Sequence, residues 1–133
     1  MDCEPIGHVE TPFATTDAAP RQGFRGDQSG TVRVDEQYRR GLTGFEVGDT
    51  VLVMWWADRA DRSVLRVRGG DRGVFTTRSP ARPNPVCLTA CEVLAVDEAA
   101  GTLDVDGVYM ADGSPVLDLK RTLDAAEGAP PGE

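Results

Sequence analysis

The sequence predicts an all-β protein, either a small barrel or a sandwich. Short segments in which apolar and polar residues alternate recur along the chain, as in Thr31–Asp35. Turn signals rich in glycine, proline and aspartate separate these segments, and one short segment, Glu36–Leu42, is predicted as one or two helical turns. Several short strands with regular turns and little helix are typical of barrels and sandwiches.

The order of the predicted elements follows from these patterns. The predicted strands are Ile6–Glu10, Thr31–Asp35, Asp49–Trp56, Ser63–Arg68, Val86–Val96, Thr102–Val108 and Val116–Leu119. Asp49–Trp56 carries a continuous apolar run, so we expect this strand at the centre of a sheet. The first strand is followed by a long loop, Thr11–Gly30. We expect one domain over residues 1–123 and a disordered tail, rich in alanine, glycine and proline, over residues 124–133.

Composition limits the classes of protein that this chain represents. It has 133 residues, 40% of them hydrophobic, which suffices for one domain with a real core. Its net charge of −8 argues against a general nucleic-acid binder, so an RNA contact requires a local basic patch, for which Arg62, Arg66 and Arg68 are candidates. The sequence shows no export leader and no apolar run long enough to cross a bilayer, so we expect a cytoplasmic protein without a membrane segment.

The cysteines and the histidine predict neither a disulfide framework nor a metal site. The chain has three cysteines, no C-x-x-C pattern and a single histidine, His8. Cys87 and Cys91 are four residues apart on a predicted strand and therefore share a face, which predicts buried, reduced thiols. His8 lies on the first predicted strand, where a solvated or packed histidine is more common than a catalyst.

A proline-rich loop, residues 77–85, carries several polar side chains on a stiff backbone. Pro80, Pro83 and Pro85 fix the backbone and remove donors, which excludes a helix or an interior strand. The loop carries Arg78 and Arg82, whose planar guanidinium groups suit carboxylate or phosphate. Two interpretations stay open: the arginines bind such a ligand, or they pair with neighbouring carboxylates within the fold.

This loop also carries a resemblance. The run Gly-Val-Phe-Thr-Thr-Arg-Ser-Pro-Ala-Arg-Pro-Asn-Pro, residues 73–85, resembles the signature of the tRNA-methyltransferase O family, whose domain is also called TsaA-like. A second match is Asp-Gly-Ser-Pro-Val-Leu-Asp-Leu-Lys, residues 112–120. A third comprises Ile6-Gly7, Thr11–Phe13 and Pro20–Gln22. The three matches keep the family's order and approximate spacing over nearly the whole chain.

The resemblance implies a fold, an activity and a partner. The family fold is a small single-sheet β-barrel with long loops, and it forms a homodimer. The family resembles S-adenosyl-L-methionine-dependent methyltransferases that act on the N6 nitrogen of threonylcarbamoyladenosine next to the tRNA anticodon. The chain has no G-x-G-x-x-G after a strand, which excludes a Rossmann-type methyltransferase. The cofactor therefore enters through the resemblance alone.

The matched motifs also imply site residues. Residues that would line the cofactor site are Thr77, Arg78, Ser79, Arg82, Asn84 and Asp112. Those that would act in catalysis are Asp118, Lys120 and Asp58, and those that would bind the substrate are Arg21, Gln22 and Trp56. No metal is implied. Arginine could hold the methionyl carboxylate of the cofactor or the threonyl carboxylate of the substrate, and an aspartate could bind ribose hydroxyls or take the proton from nitrogen.

Four departures from the family pattern bear on which substrate would accept the methyl group. Asp58 stands where relatives often have histidine, Cys87 where they usually have glycine, and Tyr109 near a usual aspartate; Arg121 and Thr122 replace a common Pro-Tyr. These differences leave two alternatives open. The same fold and cofactor could methylate a small molecule or another nucleoside, or the chain could be a non-catalytic module that binds the cofactor or RNA.

Overall fold

A computed structural model describes residues 1–13 and 28–122 of the chain. Six antiparallel strands close into a barrel: β1 (Gly7–Glu10), β2 (Ser29–Val34), β3 (Thr50–Trp56), β6 (Val86–Asp97), β7 (Thr102–Asp106) and β8 (Pro115–Arg121). Their order around the barrel is β1-β2-β7-β6-β3-β8. The all-β prediction is confirmed, and the single closed sheet decides for the barrel over the sandwich.

The connections contain the remaining regular structure. A 3₁₀ helix, Glu36–Leu42, links β2 to β3 at the position where helical turns were predicted. Between β3 and β6 lie a separate two-stranded ribbon, β4 (Arg66–Val67) with β5 (Arg72–Gly73), and a one-turn 3₁₀ helix, Val74–Thr76. No helix in the described residues has the length and apolar character that a membrane span requires.

The barrel interior is filled by alternate side chains of the strands. Along β3, Val51, Val53 and Trp55 are fully buried, and β3 pairs with both β6 and β8, as expected for a central strand. The other fully buried side chains that form the core are Val9, Val32, Val93, Leu103, Val105, Val108, Met110 and Val116. Because the two faces of a strand alternate, the outer face of β3 carries Met54 and Trp56.

One predicted strand was wrong in its extent. The alternation over residues 63–68 predicted a strand of the sheet, but only Arg66–Val67 is extended, and it pairs with Arg72–Gly73 outside the barrel. Arg68, Gly69 and Gly70 all have positive φ, which turns the chain back after two residues. The strand predicted from Thr31 begins at Ser29 instead, because Ser29 and Gly30 continue the ladder with β7.

Three of the connections between strands meet at one end of the barrel. Antiparallel pairing places the ends of β1, β3 and β7 beside the starts of β2, β6 and β8. The described residues that join these strands, 11–13 with 28, 57–85 and 107–114, therefore lie at the same end. Residues 14–27 are outside the described part. This end receives the 73–85 motif, the start of the 112–120 match and, from the third match, Thr11–Phe13.

Candidate functional site

The proline-rich loop is held together by one of its own arginines. Arg82 donates from Nε to the carbonyl of Ser79, at 2.8 Å, and from Nη2 to the carbonyls of Val74 and Thr77. Three carbonyl groups of an irregular loop thereby gain a charged donor, which such loops need because no strand partner supplies one. Arg82 thus acts within the fold, and the geometry favours a structural role over direct binding of the cofactor.

Two smaller polar side chains of the loop are also engaged locally. The Thr77 hydroxyl donates to the carbonyl of Val74, at 2.9 Å, and accepts the backbone N–H of Ser79. This pattern caps the one-turn 3₁₀ helix and fixes the path of the chain towards Pro80. The side chains of Thr77 and Ser79 are partly exposed, so both residues stay at the surface of the site predicted for the cofactor.

Arg78 differs from Arg82. It is exposed, and within the described residues its guanidinium forms neither a hydrogen bond nor an ion pair. Its charge acts on Tyr109, whose pKa is raised by burial, with smaller lowering effects from a hydrogen bond with Thr89 and from Arg78. Arg78 also lines a surface groove of about 430 Å³. A guanidinium with open donors on an ordered loop can bind an anionic group there.

Asn84 and Trp56 are joined through Arg62. The Arg62 guanidinium lies 5.3 Å from the centre of the Trp56 ring and donates to Oδ1 of Asn84 at 3.0 Å and to the carbonyl of Pro83 at 2.7 Å. A cation over an indole face is favourable, and here it also ties the β3–β4 connection to the loop. Two of the predicted site residues are thus brought together, by a residue that the sequence proposed only for a basic patch.

Asp112 is part of a turn that ties β1 to β8. Its Oδ1 accepts the backbone N–H of Thr11 at 3.0 Å, its own N–H donates to the carbonyl of Phe13, and the following Gly113 has a φ of +84°. Asp112 and Gly113 thus form a tight turn. The carboxylate is exposed, so Oδ2 is available to a ligand at the same barrel end.

The three residues expected in catalysis do not converge. Asp118 and Lys120 pair with each other at 3.0 Å, opposite Met54 and Leu52 on the outer face of the sheet. Asp58 is exposed in the turn just after β3, at the barrel end. No contact among the described residues joins Asp58 to that ion pair. Arg21 and Gln22, expected to bind the substrate, lie outside the described residues.

A polar cluster inside the barrel escaped sequence reasoning. Trp55 is fully buried, donates from its indole nitrogen to the Thr89 hydroxyl at 2.9 Å, and packs edge-on against Tyr109 with the ring centres 5.8 Å apart. Cys87 and Cys91 flank Thr89 on the same inward face, so the predicted buried, unpaired thiols are confirmed. The sequence did contain a signal for this cluster: residues 87, 89 and 91 lie on one face of a strand, so Thr89 is buried between the two thiols.

At the same barrel end, two buried acceptor oxygens have no donor among residues 1–13 and 28–122: Oε1 of Gln28 and Oδ1 of Asp106. Gln28 precedes β2, and its carbonyl accepts the N–H groups of Gly107 and Val108, which places it beside the end of β7. Buried acceptors without donors are costly, and such sites often bind a ligand that donates. In the described residues, no group of three or more His, Cys, Asp or Glu side chains could hold a metal ion.

Known proteins with similar sequences and structures match this chain over most of its length. The family model described as the tRNA-methyltransferase O N-terminal domain matches residues 8–127. A probable S-adenosyl-L-methionine-binding protein of Halobacterium salinarum is 62% identical over 124 residues, which cover 93% of this chain and 100% of that protein. The human tRNA (adenine(37)-N6)-methyltransferase is 30% identical over 129 residues, which cover 88% of this chain and 29% of that protein.

The fold agrees with these matches. A crystal structure of TrmO superposes with a TM-score of 0.79 at 30% identity, and the match covers 99% of this chain and 63% of that chain. The chain thus spans under two thirds of the TrmO chain but the whole of its Halobacterium relative. With its closed six-stranded barrel and its motif loop, this chain belongs to the tRNA-methyltransferase O family, through that family's N-terminal domain.

Proposed function

We propose that this chain is an S-adenosyl-L-methionine-dependent methyltransferase whose acceptor is the N6 nitrogen of threonylcarbamoyladenosine next to the tRNA anticodon. The observation that carries the proposal is the state of Arg78. It stands on a loop stiffened by prolines and by Arg82, beside Tyr109, with its donors unused among the described residues. Because the backbone that carries Arg78 is already ordered, little backbone entropy is lost when it binds a carboxylate, and both the cofactor and this acceptor carry one.

The residues at the barrel end suit the cofactor. Arg78 would bind the methionyl carboxylate or, in the alternative arrangement, the threonyl carboxylate of the acceptor. Asp112 offers an exposed Oδ2, an acceptor suited to a hydroxyl or amino group of a nucleoside. The cofactor supplies an activated methyl group, so the chain's own contribution is to position the acceptor and to receive the proton that nitrogen loses.

Two sets of aspartates could receive that proton. Asp58 and Asp112 lie at the barrel end, whereas Asp118 is bound to Lys120 on the outer sheet face. We infer that Asp118 and Lys120 act at a site that a second protomer completes. The apolar outer face around them, with Met54 and Leu88, supports a homodimer assembled through it.

Cofactor and acceptor are tested separately. Calorimetric titration with S-adenosyl-L-methionine should give saturable binding near one per chain. Incubation with cofactor and tRNA that carries threonylcarbamoyladenosine should yield the methylated nucleoside on mass spectrometry of the digested RNA. Arg78→Ala should weaken the binding of either the cofactor or the tRNA. Arg78→Lys restores the positive charge but not the bidentate geometry of a guanidinium, so it should recover only part of that affinity. Cofactor binding without methylation of this tRNA would overturn the proposed acceptor.

A small-molecule acceptor is the second candidate. Its support is the net charge of −8, together with Tyr109 and Asp58 at positions where the family pattern differs. An acidic surface repels polyanions, whereas a small acceptor is unaffected by the charge of distant faces. Unmethylated tRNA together with turnover of small nucleosides would favour this candidate, and cofactor binding with no turnover at all would favour a binding module. A tRNA acceptor would place the protein in the cytoplasm.

A further inference from the structure

One segment of this acidic chain is strongly basic. Residues 58–82 carry seven arginines and three aspartates, a net charge of +4, while the whole chain has −8. The segment forms most of the connection between β3 and β6, including the β4–β5 ribbon, and so lies outside the barrel wall. Half of the positive charges of the chain are therefore gathered at the end of the barrel that carries the motif loop.

These arginines are positioned but not neutralised. In the described part of the chain, none of the seven forms an ion pair with a carboxylate. Arg66 donates to the carbonyl of Gly70 at 3.1 Å, and Arg72 donates to the hydroxyl of Thr76 at 3.2 Å. Neutral partners hold a guanidinium in place and leave its charge available, whereas an ion pair would cancel the charge. Asp71, in the ribbon turn, is the one acidic residue between β4 and β5.

An aromatic ring projects between these charges. Phe75 is 77% exposed, although its neighbour Val74 is buried and donates its N–H to the carbonyl of Leu65 at 2.8 Å. The one-turn helix is thus anchored through Val74, and the Phe75 ring is held out from it. The groove of about 430 Å³ is lined by Arg68, Arg72, Phe75, Thr76, Thr77 and Arg78.

We propose that this basic and aromatic surface, defined as Arg66, Arg68, Arg72, Phe75 and Arg78, docks an unpaired loop of RNA. Phosphates would lie against the guanidinium groups, and one splayed base would stack on Phe75. The inference rests on the proposed tRNA acceptor and adds the surface by which that RNA is bound. Bases in a duplex are stacked on each other and cannot reach the ring, so the surface selects loops.

The charge of the groove argues against the cofactor as its occupant. S-adenosyl-L-methionine carries a sulfonium and an ammonium against one carboxylate, so it is a net cation at neutral pH. Three arginines line the groove, and like charges repel more strongly where solvent is partly excluded. A polyanion gains from each of the three, so RNA is the better occupant of this groove. Arg78 then contributes through the threonyl carboxylate of the acceptor, the second of the two arrangements given under the proposed function.

Salt concentration separates the two parts of the binding. Phosphate contacts weaken as salt rises, because counterion release then yields less free energy, whereas stacking on an aromatic ring is little affected. Phe75 should therefore carry a growing share of the affinity as potassium chloride approaches molar concentrations. The arginines should set the slope of affinity against salt.

The test uses a synthetic tRNA anticodon stem-loop with a fluorescent label and measures its affinity in low and in molar potassium chloride. Phe75→Ala should weaken binding by about 5- to 100-fold in both buffers, and Phe75→Tyr should retain the affinity. Arg68→Asn, which keeps a residue suited to positive φ, should lower the salt slope by about 0.7. Val47→Ala, at a side chain that is 69% exposed elsewhere, and Arg40→Asn are the matched controls.

Each other outcome overturns the surface. If Phe75→Ala and Arg68→Asn bind the stem-loop as well as the controls do, the RNA docks elsewhere, while methylation by the wild-type chain would leave the proposed function standing. If Phe75→Ala weakens the binding of S-adenosyl-L-methionine, measured by calorimetry, as much as it weakens the binding of RNA, the groove binds the cofactor. If the wild-type chain binds no stem-loop in either buffer and methylates only small acceptors, both the surface and the tRNA acceptor are wrong.

Discussion

The indole nitrogen of Trp55 donates a 2.9 Å hydrogen bond to the hydroxyl of Thr89 inside the barrel, across the β3–β6 ladder. Trp55 is fully buried and Thr89 is 2% exposed, so neither group has water as an alternative partner. Tyr109 packs edge-on against the indole and lies beside Arg78. A buried polar contact inside the barrel therefore stabilises the end where the candidate site lies.

Thr89→Val should destabilise the protein by about 1–3 kcal/mol, because it leaves the buried indole N–H without an acceptor. Urea unfolding followed by tryptophan fluorescence measures the effect. Thr50→Val is the matched control, since the Thr50 side chain forms no hydrogen bond among the described residues. Equal stabilities of the two variants would contradict the role of this contact.

Arg82→Ala should destabilise the protein by about 1–3 kcal/mol, because three loop carbonyls lose their charged donor. Arg78→Ala should change the free energy of unfolding by less than about 0.5 kcal/mol, because its side chain is exposed and without partners in the described residues. Thermal unfolding compares the two, and limited proteolysis should cut the Arg82→Ala loop faster. A destabilisation by Arg78→Ala as large as that by Arg82→Ala would refute the division of roles.

The thiols should differ in reactivity. Burial raises the pKa of Cys87 to about 11 and that of Cys91 to about 12, whereas Cys3 is exposed. At pH 8 a thiol reagent should therefore modify one thiol quickly in the native protein and all three in denaturant, since the thiolate is the reactive form. Fast reaction of two or three thiols in the native protein would contradict the buried assignment.

The same shifts give stability a pH dependence. A thiol whose pKa is raised in the folded state stays protonated there while the unfolded chain ionises above about pH 9. Stability should be unaffected by these groups below pH 9 and should fall as the pH rises towards about 11. The raised pKa of Tyr109 acts in the same direction. A Cys87→Ala, Cys91→Ala double variant should lose stability less steeply over that range, whatever its stability at pH 7.

Gly7→Ala should destabilise the barrel by about 1–3 kcal/mol. A Cβ on Gly7 would collide with the backbone carbonyl of Arg33, which strand pairing holds in place. Gly41→Ala is the control, because nothing lies within 4 Å of the position of its Cβ. Chemical unfolding should separate the variants clearly, and a Gly7→Ala protein as stable as Gly41→Ala would show that β1 can shift away from β2.

The outer face of β3 and β6 supplies a test of the proposed homodimer. Leu88 pairs with Met54 on this face, and Val86 next to them is 44% exposed. Analytical ultracentrifugation of the wild-type chain should give the mass of two chains, and Leu88→Asp should shift it towards one, because a buried charge opposes association. Val47→Asp, a substitution at an exposed position elsewhere, should leave the mass unchanged. A wild-type monomer at all concentrations would rule out this dimer.

Local patterns were sufficient for most of the fold. Alternation set the strands to within a few residues, and the helical turns over Glu36–Leu42 lie where they were predicted, because side-chain periodicity depends only on near neighbours. The strand predicted over residues 63–68 was wrong in its extent, because local alternation does not report which strands pair in the tertiary structure. Its alternation is genuine, but the positive φ of Arg68 and the absence of a barrel neighbour are decided by the tertiary structure.

The roles of individual site residues are decided by the tertiary structure. The sequence determined that the chain is a β protein, which family it resembles, and that its chemistry centres on the arginine-bearing loop. It could not separate Arg78 from Arg82, because the same guanidinium either fastens a loop or faces a ligand, depending on which carbonyls fold back to it. Nor could it pair Trp55 with Thr89, 34 residues apart, since only closure of the barrel brings those strands together.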